Sequence, residues 1–297
     1  MGEINLYQVE GPEVRGIESK SIDLEKQVQT LIEQNLEELL GITFLASEYS
    51  TGERHGGRID TLGIDENNSP VILEYKKHKN QNVINQGLFY LDWMMDHKAE
   101  FEQLVRKNTT GDEEIEWSSP RLICIAPDFT KYDSHAVEQI DQNIELMRFR
   151  QYDGGILLLE LVNVVESTQE TTTTGREYKG VKHYHEQASD ELNKLFEELE
   201  DYIFSLGDDI QRKELKYYYA YKRIQNFVCL EFKPNDDRLL LHLTLDPSKM
   251  EDFPEIARDV SDVGHYGTGD LELHIRSSDD LEIAKPLIER SYDGVDS

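Results

Sequence analysis

Cysteine is nearly absent. The 297 residues hold two, Cys124 and Cys229, each inside an apolar, strand-like run (LICIA and FVCLEF). Both read as core thiols of a reduced compartment, and so few exclude a disulfide scaffold or a cysteine-rich zinc module. Long apolar runs are missing as well. None approaches the roughly 20 residues that cross a bilayer, so no membrane partner is expected. The first residues, MGEINLYQVEGPEV, lack a basic start and an apolar stretch, so no secretory leader is expected and the cytoplasm is the expected location. Positive charge is scarce: 31 Lys and Arg face 60 Asp and Glu, a net charge of −29. Bulk charge therefore does not draw this chain to anionic surfaces.

The acidity is uneven. Between residues 51 and 110 there are eight Lys/Arg and nine Asp/Glu, a net of −1. A near-neutral island in an acidic chain is where an anionic substrate would be met, although local fluctuation gives the same pattern. The length suits two domains.

Along the chain, residues 1–20 read as an extended lead-in. Leu24, Val28, Leu31, Ile32, Leu39 and Leu40 recur at helical spacing, with Ser21 suited to cap the start and Gly41 to end the helix. Three strand-like runs follow, ITFLASEY, GGRIDTLGI and PVILEYKK, the last two joined by the turn residues DENNS. A long helix is expected from Val83 to Arg106, then the strand RLICIA, a helix around His135–Leu146, and two strands flanking DGG. The polar, Thr-rich stretch 167–188 reads as a linker between a first domain, 1–166, and a second, 189–297. The second opens with the helix DELNKLFEELEDYIFSL. The strands ELKYYYAYKR, NFVCLEFK, RLLLHLTL and DLELHIRS and a final helix from Asp279 to Arg290 complete an α+β unit.

The chemistry concentrates in GGRIDTLGIDENNSPVILEYKK. If Asp65–Ser69 is the loop of a symmetric hairpin, Ile64 faces Pro70 and paired residue numbers sum to 134. Asp60 then opposes Glu74, and Arg58 opposes Lys76, all on one face. Two opposed carboxylates repel each other unless something neutralises them, and a hard divalent cation with oxygen ligands does so. Lys76 points into the same space, where it can position a water or steady a phosphate oxygen. These residues suggest a Mg²⁺ site with Mn²⁺ as a substitute. A surface salt-bridge cluster of the same four residues is the alternative.

The order helix, three strands, helix, strand, with Asp60 followed by Glu74-Tyr75-Lys76, resembles the PD-(D/E)XK nuclease superfamily. Gln86-Gly87-Leu88-Phe89-Tyr90 on the next helix reads as the Q-x-x-x-Y motif of its RecB-like branch, and Glu25 fits the acidic residue of the first helix. The region 20–126 is similar to the nuclease domain of NucS-type endonucleases. Ile59 stands where the motif has proline. The second domain resembles uncharacterised domains often attached to such chains.

The resemblance implies an αβββαβ core with a mixed sheet flanked by helices, and hydrolysis of phosphodiester bonds in DNA. It implies that Asp60, Glu74 and the Tyr75 carbonyl hold the metal, with Glu25 completing the shell. Lys76 would activate water, and Gln86 and Tyr90 would orient the nucleic-acid backbone or support Lys76. Arg54, Arg58, Lys77 and Lys79 are candidate phosphate contacts. Nucleases of this kind are often homodimers, which leaves a homodimer open here. The second reading is a catalytically inactive nuclease-like protein that binds nucleic acid or a protein partner.

Three further signals read as structural. His183-x-His185 offers too few ligands for structural zinc. Lys216–Arg223 interleaves basic and aromatic residues but suits a strand with aromatics packed on one face. Gly264–Gly269 lacks the Lys-Ser/Thr of a P-loop and reads as a loop.

Overall fold

The first residues are not a featureless lead-in. In the computed structural model, Leu6–Glu10 (β1) and Glu13–Ile17 (β2) pair antiparallel, with Val9 opposite Val14 and Gly11 at φ +61° in the turn. The structure describes residues 4–20, 25–52, 56–76, 83–109, 114–165, 180–250 and 252–294. It falls into two compact units, Met1–Thr171 and Thr172–Ser297.

In the first unit the expected opening helix is two: α1 (Glu25–Gln34) and α2 (Leu36–Leu40). They part at Asn35, whose side-chain amide donates to the Leu31 carbonyl at 2.8 Å, a local bond that competes with helix continuation. Gly41, at φ +64°, closes α2 in the left-handed conformation expected of a C-terminal cap. Ile42–Ser50 (β4), Arg58–Asp65 (β5) and Pro70–Tyr75 (β6) follow as an antiparallel meander. Then come α3 (Val83–Asp96), α4 (Lys98–Asn108), β7 (Arg121–Ala126), α5 (Lys131–Val137), β8 (Asn143–Tyr152) and β9 (Ile156–Val165). With Ser19–Lys20 (β3), these strands make a seven-stranded mixed sheet ordered β3-β8-β7-β6-β5-β4, with β9 also on β8. The β6–β7 and β7–β8 pairs are parallel. The fold class is therefore α/β.

Three expectations need adjusting. The helix expected over 83–106 breaks at His97 (φ −117°, ψ 35°), whose ring stacks on Trp93 at 4.6 Å and whose Nδ1 lies 2.7 Å from the Trp93 carbonyl oxygen. The helix expected over 135–146 lies earlier: Thr130 and Asp133 form a reciprocal cap, and the chain is already in β8 by Asn143. The stretch 167–188 is not all linker. Val181–Glu186 is a helix (α6), and Val181 is buried in the second unit's core. The rest of that stretch from 167 to 179 lies outside the described residues.

Helices cover both faces of the first sheet. A Cβ on Gly63 would fall 2.4 Å from Ile42 Cγ2 and 3.7 Å from Leu36 Cδ2, so β5 packs closely beneath α2. On the opposite face a Cβ on Gly87 would fall 2.4 Å from Leu122 Cδ1, so α3 lies directly on β7. Beneath the β5–β6 turn, buried Arg121 donates to Asp65 at 2.8 Å and to both oxygens of Glu145 at 2.7 and 2.9 Å. Asp65 Oδ1 in turn accepts from the Asn67 and Ser69 backbone N–H groups. That network fixes the turn, and with it the register of the hairpin.

In the second unit, α7 (Asp190–Ser205) and α8 (Ser278–Asp293) pack on one face of an antiparallel sheet. Its strands are β10 (Gln211–Glu214), β11 (Tyr219–Lys222), β12 (Asn226–Lys233), β13 (Arg238–Leu243), β14 (Ala257–Asp259) and β15 (Leu271–Ile275). Their order is β10-β11-β12-β13-β15-β14. The run expected as one strand over 214–223 is interrupted where Leu215 N–H donates to the Tyr218 carbonyl at 3.0 Å. His185 belongs to the aromatic core, stacked on Phe232 at 4.4 Å. No helix among the described residues is long and apolar enough to cross a membrane.

Candidate metal-binding and catalytic site

The hairpin has the register its loop length implies: Thr61 pairs with Leu73, Leu62 with Ile72, Gly63 with Val71 and Ile64 with Pro70. The backbone ladder ends there. One step further, side chains take over the backbone donors. Asp60 N–H donates to Glu74 Oε1 at 3.1 Å, and Tyr75 N–H donates to Asp60 Oδ2 at 3.0 Å. Each strand thus anchors the other's carboxylate. These bonds hold the two acids side by side although their charges repel. Arg58 and Lys76 do not extend the ladder.

Glu74 is wholly buried and Asp60 is half-buried. Lys76 follows β6, with its N–H donating to the Ile125 carbonyl at 2.9 Å. Cys124, paired with Glu74 in the β6–β7 register, senses both groups. Burial pushes its thiol up, Glu74 adds to that, and Lys76 opposes it.

The donor set suits a hard cation: two carboxylates and the Tyr75 carbonyl, all oxygen. Among the described residues no three His, Cys, Asp or Glu side chains converge as a metal-binding group. Glu25 opens α1, one turn before Gln29; its side chain lies outside the described residues, as do Arg54, Lys77 and Lys79.

Tyr90 requires a correction. It is only 6% exposed, and its hydroxyl accepts from the Arg58 backbone N–H at 3.1 Å. A ring in that position cannot contact a nucleic acid; it pins the start of β5. Gly57 explains the fit, since a Cβ there would fall 2.5 Å from Tyr90 Cε1. Gln86, half-buried, donates to the Tyr90 hydroxyl at 3.4 Å. Arg58 is exposed and meets Glu48 at 2.5 Å, and Glu48 also meets Lys26 at 2.9 Å. Hydrogen bonding from Lys26, aided by the charges of Lys26 and Arg58, holds the Glu48 carboxyl below its usual range.

A second layer on the other face of β5 was missed. Buried Gln29 donates its amide to the Asp60 carbonyl at 2.8 Å, to Glu33 at 2.9 Å and to Ser47 at 3.2 Å. Thr61 donates to Glu33 at 2.6 Å. The available signal was the polar stripe Glu25-Gln29-Glu33 at four-residue spacing, running beside the apolar Val28 and Ile32.

Residues 181–294 match the family described as "Domain of unknown function (DUF5655)". Over 293 residues the chain is 30% identical to an uncharacterized protein of Haemophilus influenzae, covering 93% of this chain and 95% of that one. The chain belongs to that protein's family. The family relationship spans both units. Among solved structures the chain is similar to a repair endonuclease from Pyrococcus abyssi, at 21% identity and a TM-score of 0.31, over 43% of this chain. It spans about half the length of that neighbour (49%).

Proposed function

We propose that the first unit is a metal-dependent deoxyribonuclease that hydrolyses phosphodiester bonds. The observation that carries this reading is the pair of crossed hydrogen bonds that locks Asp60 and Glu74 together at the end of the β5–β6 ladder. Two acids placed on neighbouring strands repel each other, and a cation bound by both would give that placement a use. Asp60, Glu74 and the Tyr75 carbonyl would hold Mg²⁺, or Mn²⁺ in its place, with Glu25 completing the shell. When bound, such an ion supplies Lewis acidity toward a phosphoryl oxygen. Lys76 orients the attacking water and offsets charge that develops on the phosphate oxygens. Gln86 and Tyr90 keep β5 in place beside Lys76. Arg54, Arg58, Lys77 and Lys79 contact phosphates flanking the cleaved bond.

The test is incubation of the full chain with single-stranded, duplex and branched DNA in Mg²⁺ or Mn²⁺, beside Asp60→Ala and Lys76→Ala. Metal-dependent cutting that both substitutions abolish is the expected result. In parallel, calorimetric titration with Mn²⁺ gives heat that Glu74→Ala removes. The net charge of −29 favours a second reading, a nuclease-like protein that binds a nucleic acid or a protein without cutting. Absence of cutting on every substrate and metal would select it.

A further inference from the structure

The two ends of the first sheet are built differently. At one end β4 is blunted: its pairing with β5 shifts at Leu45, Glu48 sits at φ +53°, and the Glu48 carboxylate is held by Lys26 and Arg58. Bulges and charges of this kind keep an edge strand from pairing with another chain. At the other end β9 pairs with β8 along one side, and among the described residues no strand pairs with its other side.

Over Ile156–Leu161, β9 has none of these devices. The run ILLLEL has no Lys, Arg or Pro, and its one charge, Glu160, is engaged by Arg148 of its own sheet at 3.1 Å. The bulge in its pairing with β8, at Val162, comes after that run. Leu157, Leu159 and Leu161 share one face with Gln151, Phe149 and Met147 of β8, and Ile156, Leu158 and Glu160 share the other with Tyr152, Arg150 and Arg148. A solvated edge strand is expected to alternate apolar and polar residues. Here both faces are mainly apolar, as in a strand from the interior of a sheet, yet Ile156 is exposed and every residue from Leu157 to Asn163 is half-buried. The helix α5 reaches the C-terminal half of β9, where the Asn163 amide donates to the Ser134 carbonyl at 3.1 Å. The helices α1 and α2 pack over β4, β5 and β6, towards the far end of the sheet.

We propose that β9 pairs antiparallel with β9 of a second copy about a two-fold axis at Leu159, joining the two seven-stranded sheets through their β9 edges. The run complements itself in that register. Leu159 meets Leu159, and Leu157 meets Leu161 of the second copy, so one face closes as a row of leucines. On the other face Leu158 meets Glu160 of the second copy. The two Glu160 carboxylates therefore never oppose each other, and each keeps its own Arg148. The main-chain donors and acceptors along the outer side of β9 gain partners. Charge selects the same edge. The molecule carries −29, which repels a second copy at long range, but residues 146–163 hold two Arg, one Asp and one Glu, a net of zero. A two-fold pairing demands a run that matches its own reversal, and this one does, which favours a second copy over an unrelated strand.

The experiment measures the mass of the full chain by light scattering after gel filtration, over a dilution series. A mass of twice 34.5 kDa is expected. Leu159→Lys puts two ammonium groups directly opposite each other at the axis. It should return the mass to that of one chain, with the far-ultraviolet circular dichroism unchanged. Leu159→Cys tests the register without a like-charge clash and serves alone if Leu159→Lys does not fold. Residue 159 faces its own counterpart, so oxidation should link two chains. Leu161→Cys lies on the same face but opposite residue 157, about 13 Å along the strand from its counterpart, and should not link. Cys124 and Cys229 are buried, so the parent chain supplies the background. A parent chain with the mass of one copy overturns the proposal and leaves the edge to an extended segment of another protein. It is also overturned by a folded Leu159→Lys chain that keeps the doubled mass, or by a Leu159→Cys chain that links no more readily than Leu161→Cys. Strands β7 and β8 separate this edge from Asp60 and Glu74, so Asp60→Ala should leave the mass unchanged, and nothing in the proposal depends on nuclease activity.

Discussion

Single atoms decide two of the contacts that matter here. Gly57 is glycine because the Tyr90 ring occupies the space of a side chain. Gly57→Ala should therefore cost about 1–3 kcal/mol through overpacking. Tyr90→Phe keeps the ring but removes the acceptor of the Arg58 N–H, with a cost of about 1–3 kcal/mol. Urea denaturation measures both; values within about 0.5 kcal/mol of the parent would contradict the packing described. In the second unit, His242 makes stability depend on pH. Its ordinary value is 6.5 and burial first, then His265, lowers it to about 4. The unfolded chain takes up this proton below 6.5, whereas the folded chain refuses it until about 4. Stability from this group is complete above about 6.5 and is lost as pH falls toward 4, by up to about 3 kcal/mol. His242→Phe keeps a ring for His265 to stack on and should flatten that part of the pH profile. An unchanged difference between pH 7.5 and pH 5 would show that other groups carry it.

At the level of elements, the turn network is what makes the candidate site possible. Arg121 is fully buried between Asp65 and Glu145, and Asp65 caps the turn that sets the pairing of β5 with β6. Removing the guanidinium leaves two buried carboxylates facing each other, so Arg121→Ala should cost about 3–5 kcal/mol. Thermal and urea melts check this, and a loss below about 1 kcal/mol would mean the network is relieved by water. The register itself was legible in the sequence, because five turn residues between two strand-like runs leave one symmetric pairing, and that pairing puts Asp60 beside Glu74. The crossed side-chain bonds were not, since periodicity cannot say where a ladder ends. The breaks at Asn35 and His97 were hidden for a related reason: apolar spacing continues across each, and only a local side-chain bond or ring stack interrupts the helix. The β1–β2 hairpin escaped because it buries neither face; Tyr7, Val9 and Val14 are all exposed, so no inward–outward alternation marks it. Tyr90 could be placed on the correct helix, but whether its ring faces solvent or Gly57 is a tertiary fact.

For the whole molecule, charge sets the terms on which DNA could be approached. A net charge of −29 repels a polyanion at long range, so any contact must come from a local group of cations. Around the acids the sequence offers five: Arg54, Arg58, Lys76, Lys77 and Lys79. Each neutralised phosphate contributes about −0.9 to the slope of log affinity against log salt for duplex DNA. Five contacts set a limit of about −4.5, and the pairing of Arg58 with Glu48 argues for a smaller magnitude. Fluorescence anisotropy with labelled duplex DNA and the Asp60→Ala chain, which should bind without cutting, measures the slope between low and physiological salt. A shallow slope that Lys77→Ala and Lys79→Ala each reduce by about one is the expected outcome. A slope steeper than about −5 would require phosphate contacts far from Asp60 and Glu74, and would move nucleic-acid recognition away from the hairpin.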